Sequence, residues 1–169
     1  MPTNLIIDGY NLIGLDGLSD IEAEREQLIE DLIVYKKAVS VRITVVFDGT
    51  SSGNLTRGAM GRSGINIIFS RAGEQADAII KEMAHRIGSG ATIVTSDRDV
   101  RETARASGAT VIESVEFRNV LDEALYEEIK GAAPEDETDD SAARKKGNPR
   151  RLPKADRLKQ HRLDKLRKK

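Results

Sequence analysis

Five short apolar runs, each continuous rather than alternating, constrain this chain more than any other feature. They are Leu5-Ile6-Ile7, residues 43–47, residues 65–69, residues 92–95 and the weaker Thr110-Val111-Ile112. A run without alternation has no polar face to offer water, so it suits a strand covered on both sides. Helical patterns fall between the runs. Residues 74–88 show this most clearly: Ala76, Ile79, Ile80, Met83, Ala84 and Ile87 form one stripe at helical spacing. Residues 20–39, 99–107 and 115–130 read the same way. Strands alternating with helices predict a mostly parallel sheet between two helical layers. The stretch 49–64 breaks the rhythm. Rich in glycine and carrying Arg57 and Arg62, it reads as a mobile basic loop.

In sheets of this kind ligands bind outside the carboxyl ends of the strands. The residues that follow each run therefore matter most. The first run ends in Asp8, the second in Asp48, and the fourth is followed by Asp97. The helix after the third opens around Asp77. Four acids from separate parts of the chain are thus expected at one edge. Carboxylates gathered there raise one another's pKa unless a cation sits among them, and hard oxygen ligands suit Mg²⁺ or Mn²⁺. Asn11, one helical turn after Asp8, could present its amide to the same place. Each acid also has a structural alternative. Asp48-Gly49 can be a turn, and Asp97 can cap the helix that follows it.

Composition narrows the chemistry further. The chain has no cysteine, which excludes disulfides, thiolate metal sites and a cysteine nucleophile. Its two histidines, His85 and His161, lie on a polar helix face and near the end of the sequence, so neither a histidine acid–base pair nor a Ser-His-Asp triad is supported. No G-x-x-x-x-G-K-[ST] occurs, which excludes a P-loop. Lys36, Lys37, Lys81 and Lys130, the lysines of residues 1–130, all sit in helical patterns, against an aspartyl-phosphate site that wants a lysine at a strand end. Carboxylate-bound metal and hydrolysis of a phosphodiester remain. No apolar run approaches a membrane span. The opening residues lack the charged start of a signal peptide. A cytoplasmic protein with no membrane role is expected.

The formal net charge of −1 hides a partition. Residues 1–130 carry 14 basic and 21 acidic residues, and residues 131–140 five acidic and no basic. Residues 141–169 carry 13 basic and two acidic. Residues 131–143 read as an acidic linker. Residues 144–169 read as a basic tail, disordered or partly helical, too poor in apolar area to fold alone and suited to RNA or ribosome contact. The alternative is that it folds over the acidic core.

The blocks IIDGYNLI, VVFDG, FSRAGEQADAII and IVTSDRDVRE, in that order between about residue 3 and residue 130, resemble the YacP-like branch of the NYN-domain proteins, within the PIN-like nuclease group. The resemblance implies that residues 1–130 form a three-layer α/β/α PIN-like domain. It implies a metal-dependent endoribonuclease, and some members of the family act on messenger RNA on the ribosome. Carried over, Asp8, Asp77 and Asp97 are the catalytic, metal-binding acids, with Asn11, Asp48 and Ser96 in support. Asp99 is a possible further acid, expected to face solvent. Arg57, Arg62, Arg71 and Arg98 are expected to neutralise RNA phosphates. The other function open to such a chain is an RNA- or ribosome-binding module with an inactive pocket.

Overall fold

The computed structural model describes residues 2–14, 19–49, 57–132 and 154–167. The strands are β1 (Asn4–Asp8), β2 (Arg42–Phe47), β3 (Gly58–Arg62), β4 (Ile65–Phe69), β5 (Ala91–Val94) and β6 (Thr110–Ile112). The helices are α1 (Gly9–Ile13), α2 (Ile21–Ala38), α3 (Ala76–Ile87), α4 (Arg98–Ala106), α5 (Ser114–Ala132) and α6 (Lys154–Leu166). All six strands form one sheet in the order β3-β4-β2-β1-β5-β6, parallel except for β3.

The five apolar runs are the five parallel strands, and both their faces are largely buried, with Asn66 of β4 the exposed exception. Leu5, Ile7, Ile43, Val45, Ile65 and Ile67 point to one layer, where Leu28, Ile29 and Leu32 of α2 and Phe117, Val120 and Leu121 of α5 cover them. Ile6, Val46, Ile93 and Val111 point to the other, under Ile79, Ile80 and Met83 of α3 and Val100 and Ala104 of α4. Burying one such side chain stabilises the fold by about 1.5–3 kcal/mol. Two full apolar layers make the three-layer α/β/α sandwich the stable solution.

The order of connections places the site. From β1 the chain steps to β2 and then β4 on one side. It then crosses back over β1 to reach β5 and β6 on the other side. The reversal lies between β1 and β5, which pair from Asn4↔Ala91 to Ile7↔Val94. A crevice opens at the carboxyl ends of strands at such a reversal. Asp8 is the last residue of β1, at that point.

Two features differ from the sequence reading. The first is β3, which lies inside the stretch 49–64 that read as a loop; residues 50–56 of that stretch are outside the described residues. Gly58–Arg62 pairs antiparallel with β4, joined by a two-residue turn in which Ser63 (φ 49°) and Gly64 (φ 85°) are both left-handed. Positive φ at both central positions is the hairpin turn that matches strand twist. An edge strand with two glycines and a single large apolar residue, the exposed Met60, has no apolar pattern to announce it. The second is the tail. Residues 133–153 lie outside the described residues, but α6 packs on the domain rather than standing apart from it. Leu166 is 1 % exposed in the same core as α2 and α5, with Leu163 beside it. The Tyr35 hydroxyl donates to the Leu166 carbonyl (2.5 Å), and Arg162 donates to Thr3 Oγ1 (2.8 Å) and to the Ser89 carbonyl (2.9 Å). The helix does not fold alone; it borrows the domain's core. Among the described residues, no helix is long and apolar enough to cross a membrane.

Leu166→Ala is therefore expected to destabilise the whole domain by about 2 kcal/mol or more, the scale of a buried leucine truncation. Chemical denaturation measures this, and an unchanged midpoint would show α6 to be undocked.

Candidate active site

Helix starts and strand ends meet at one edge of the sheet, and they set the side chains there. α1 begins directly after Asp8, which precedes its first residue. Gly9 is required at this step: a Cβ there would sit 2.3 Å from the Phe47 ring. The α4 N-terminus is capped by Asp97, whose Oδ1 accepts from the Val100 N–H at 2.9 Å. The α3 N-terminus is capped from a distance, with Asp48 Oδ1 accepting from the Ala76 N–H at 2.6 Å. Asp77 lies in the first turn of α3. Helix N-termini carry partial positive charge, which favours carboxylates at all these positions. The capping and site readings of Asp48 and Asp97 thus coexist, since each cap uses only Oδ1.

Asp8 is the buried member, 7 % exposed. Burial is the main reason its pKa is pushed up to about 6, and the nearby charges of Asp77 and Asp48 push the same way. The Thr95 hydroxyl and the Asn11 backbone N–H oppose this by favouring the charged form. Relative to an ordinary value of 3.8, the ionised form is disfavoured by about 3 kcal/mol. Asp77 is also raised, first by burial and then by Asp97, while Lys81 pulls it down. Asp99 is exposed and ion-paired with Lys81, so it faces solvent as expected. Among the described residues, no three His, Asp or Glu side chains are gathered tightly enough to form a ready ligand set. The donor chemistry still fits Mg²⁺ or Mn²⁺. Such an ion keeps several waters and needs only one or two direct carboxylates, with substrate phosphate completing the shell.

The supporting residues knit the edge together. Thr95, fully buried, donates to Asp8 Oδ2 (3.2 Å), and its oxygen accepts from the Asp97 N–H (3.1 Å). One hydroxyl thereby ties two acids in place. Asn11 accepts through Oδ1 from the Ser96 N–H (2.8 Å) and the Ser114 hydroxyl (2.5 Å). Ser96 Oγ accepts from the Ser114 N–H (3.2 Å). Asn11 and Ser96 are therefore clamps between α1, the β5 end and the start of α5. Sequence reasoning passed over Thr95 and Ser114, because a threonine ending a β run and a serine opening a helix both have ordinary explanations.

The arginines singled out from the sequence all meet carboxylates. Arg57 pairs with Glu74 (2.6 Å) and Glu82 (2.8 Å), and Arg62 with Glu26 (2.7 Å) and Glu30. Arg98 pairs with Glu102 (2.9 Å), and Arg71 approaches Glu74 (3.9 Å). A cavity of about 630 Å³ opens beside this group, lined by Arg71, Glu74, Gln75 and Ala78 among others, on both sides of Asp77 in the chain.

The sequence model of the YacP-like NYN domain matches residues 5–169. The chain belongs to the YacP-like NYN domain family. The match runs through α6, so the YacP-like unit takes in the helix that docks on its core. Among solved structures, Rae1 (YacP) from Bacillus subtilis superposes with a TM-score of 0.62 at 25 % identity, over 78 % of this chain and 79 % of that one. A single-substitution variant of the same protein gives 0.59 at 22 % identity, over 77 % and 85 %. The YacP-like fold is thus shared, and the NYN family is nuclease-like. No curated protein matches the chain.

The buried charge of Asp8 has a measurable consequence. Its raised pKa means that its contribution to stability is lost as pH rises from about 4 through about 6, and stays lost above. Asp8→Asn removes the charge and is expected to stabilise the metal-free protein at pH 7.5 by about 1–3 kcal/mol. The gap between variant and wild type should shrink as pH falls towards 4. Thermal unfolding in EDTA across this range checks it, and a variant less stable than wild type at pH 7.5 would count against the placement of Asp8.

Proposed function

We propose that this protein is a metal-dependent endoribonuclease that hydrolyses RNA phosphodiesters, with ribosome-associated messenger RNA as its substrate. The observation that carries the reading is Asp8: a buried carboxylate at the sheet reversal, with its charge disfavoured by burial and by its neighbours Asp77 and Asp48. A protein gains nothing in stability from such a charge, so its use is to meet a cation. Asp8 and Asp77 would hold Mg²⁺ or Mn²⁺, with Asp97 and the free oxygen of Asp48 completing the acidic edge. When bound, the ion supplies charge stabilisation at phosphoryl oxygens and a nucleophilic water.

The chain's own residues do the rest. Thr95 holds Asp8 by one oxygen and fixes the backbone at Asp97. Asn11 and Ser114 hold the Ser96 turn, so the β5 end keeps its distance from β1. His85 is hydrogen-bonded to Ser107 on the outer surface, so a histidine route through the 2′-hydroxyl is not expected. Products should carry 5′-phosphate and 3′-hydroxyl ends. Contact with the ribosome is assigned to the basic residues that precede α6, such as Lys145, Lys146, Arg150 and Arg151, all within the segment outside the described residues.

One observation favours the second reading, an RNA- or ribosome-binding module with an inactive pocket: Asp48 and Asp97 each commit an oxygen to a helix cap, and among the described residues no closed ligand set stands ready. One experiment separates the two. Purified protein is incubated with single-stranded RNA in Mg²⁺, in Mn²⁺ and in EDTA, beside Asp8→Asn and Thr95→Val. The nuclease reading expects cleavage that EDTA and Asp8→Asn abolish, and that Thr95→Val lowers about 10- to 100-fold through misoriented Asp8. Cleavage that survives both EDTA and Asp8→Asn contradicts the mechanism. RNA binding without cleavage in any metal supports the inactive pocket. Replacing Lys145, Lys146, Arg150 and Arg151 by alanine should reduce co-sedimentation with ribosomes; deleting residues 141–169 is unsuitable because it uncovers the core beneath Leu166.

A further inference from the structure

An acidic edge repels the polyanion it is meant to cut, so a phosphate must find positive charge close by. Arg57, Arg62, Arg71 and Arg98 are poor sources of it, since each already faces a carboxylate. Arg25 is different. It lies in the second turn of α2. It is half-buried, its Nη1 donates to the Tyr10 hydroxyl (3.4 Å), and its guanidinium lies over the Phe69 ring, 5.4 Å from the centroid. No carboxylate pairs with it among the described residues. Among the described residues its Nε is buried without a hydrogen-bond partner.

The wall behind it is rigid. Phe69 stacks on Phe47 with centroids 5.7 Å apart, and Phe47 meets Tyr10 at 5.1 Å. Phe47 ends β2, Phe69 ends β4, and Tyr10 follows Asp8 by two residues, so the cluster stands at the carboxyl edge of the sheet. A cation over an aromatic ring is held in place without being neutralised. A carboxylate partner would cancel its charge; Phe69 does not. A pre-positioned guanidinium also loses little side-chain freedom on binding.

We infer that Arg25, braced by Phe69 and Tyr10, is a phosphate-binding residue for the RNA backbone, gripping a phosphate next to the bond presented to the carboxylate edge. The strand would then run across the edge from the β4 side, at Arg25, towards Asp97 on the β5 side. Phe69 is already engaged by Arg25 and by Phe47, so the free group at this subsite is the guanidinium, which suits a phosphate better than a stacked base. This rests on the proposal that the substrate is RNA.

The test measures binding apart from cleavage. A labelled single-stranded RNA is titrated with full-length protein in EDTA at several salt concentrations, using wild type, Arg25→Ala, Arg25→Lys and Arg42→Ala. Arg42 is exposed at the start of β2, at the opposite end of the sheet, and controls for loss of one positive charge. Circular dichroism and thermal unfolding check that each variant folds. Arg25→Ala is expected to weaken binding about 10- to 150-fold, the scale of a charged hydrogen bond. It should also make the slope of log affinity against log salt shallower by about 0.7, one phosphate's share on a single strand. Arg25→Lys should keep the wild-type slope with intermediate affinity, and Arg42→Ala should match wild type. Arg25→Ala with wild-type affinity and slope, in a protein that binds and cleaves RNA, overturns the inference and leaves the nuclease reading standing. Weaker binding with an unchanged slope also overturns it, by assigning Arg25 a structural role. Wild type that neither binds nor cleaves RNA overturns both.

Discussion

Asp8 sits where the chain reverses its direction of travel across the sheet, and its carboxylate is enclosed by the very packing that makes the sheet stable. β1 is one of the two central strands, paired on both sides and covered on both faces. A charge at its end cannot retreat to solvent. The fold answers with the Thr95 hydroxyl and the Asn11 backbone N–H, which reduce the cost of ionisation without removing it. What remains, about 3 kcal/mol, is available to any cation that binds there. The same energy counts against the stability of the metal-free protein and in favour of ion binding.

The other acids are arranged around that constraint. Asp48 and Asp97 are each anchored through one oxygen to a helix N-terminus, so their positions are set by backbone rather than by flexible side chains. Asp77 sits nearer solvent and is tempered by Lys81, itself tied to Asp99. Most arginines near the edge are absorbed in ion pairs that brace β3 and the start of α3. Exposed pairs of this kind contribute little to stability, but they leave the edge short of free positive charge. Arg25 escapes that fate because its support is an aromatic wall.

Much of this was legible in the sequence, for physical reasons. Runs such as residues 5–7 and 43–47 have no exposed polar face, so a two-sided cover followed from them directly, and with it the parallel sheet and the edge at which Asp8, Asp48, Asp77 and Asp97 lie. The 74–88 stripe located α3 to within two residues. What was not legible depends on contacts between distant parts of the chain. β3 is glycine-rich and exposed, so pairing with β4 decides its conformation. Leu163 and Leu166 look too few for a core until Tyr35 and the apolar layer shared by α2 and α5 supply the rest. The ion pairs of Arg57 and Arg62 join residues 17 to 36 positions apart. Thr95 and Arg25 have no unusual neighbours in sequence; only the fold brings them to Asp8 and Phe69.

At neutral pH the buried Asp8 carboxylate at the sheet reversal carries a charge that burial disfavours and that a bound cation would stabilise. The most direct measurement is the titration of the Asp8 carboxyl carbon by NMR, in metal-free protein and again with Mg²⁺. The expected midpoint lies near pH 6 without metal and moves down into or below the ordinary aspartate range when Mg²⁺ is added. A midpoint near 3.8 in the metal-free protein, or one that Mg²⁺ does not move, would contradict it.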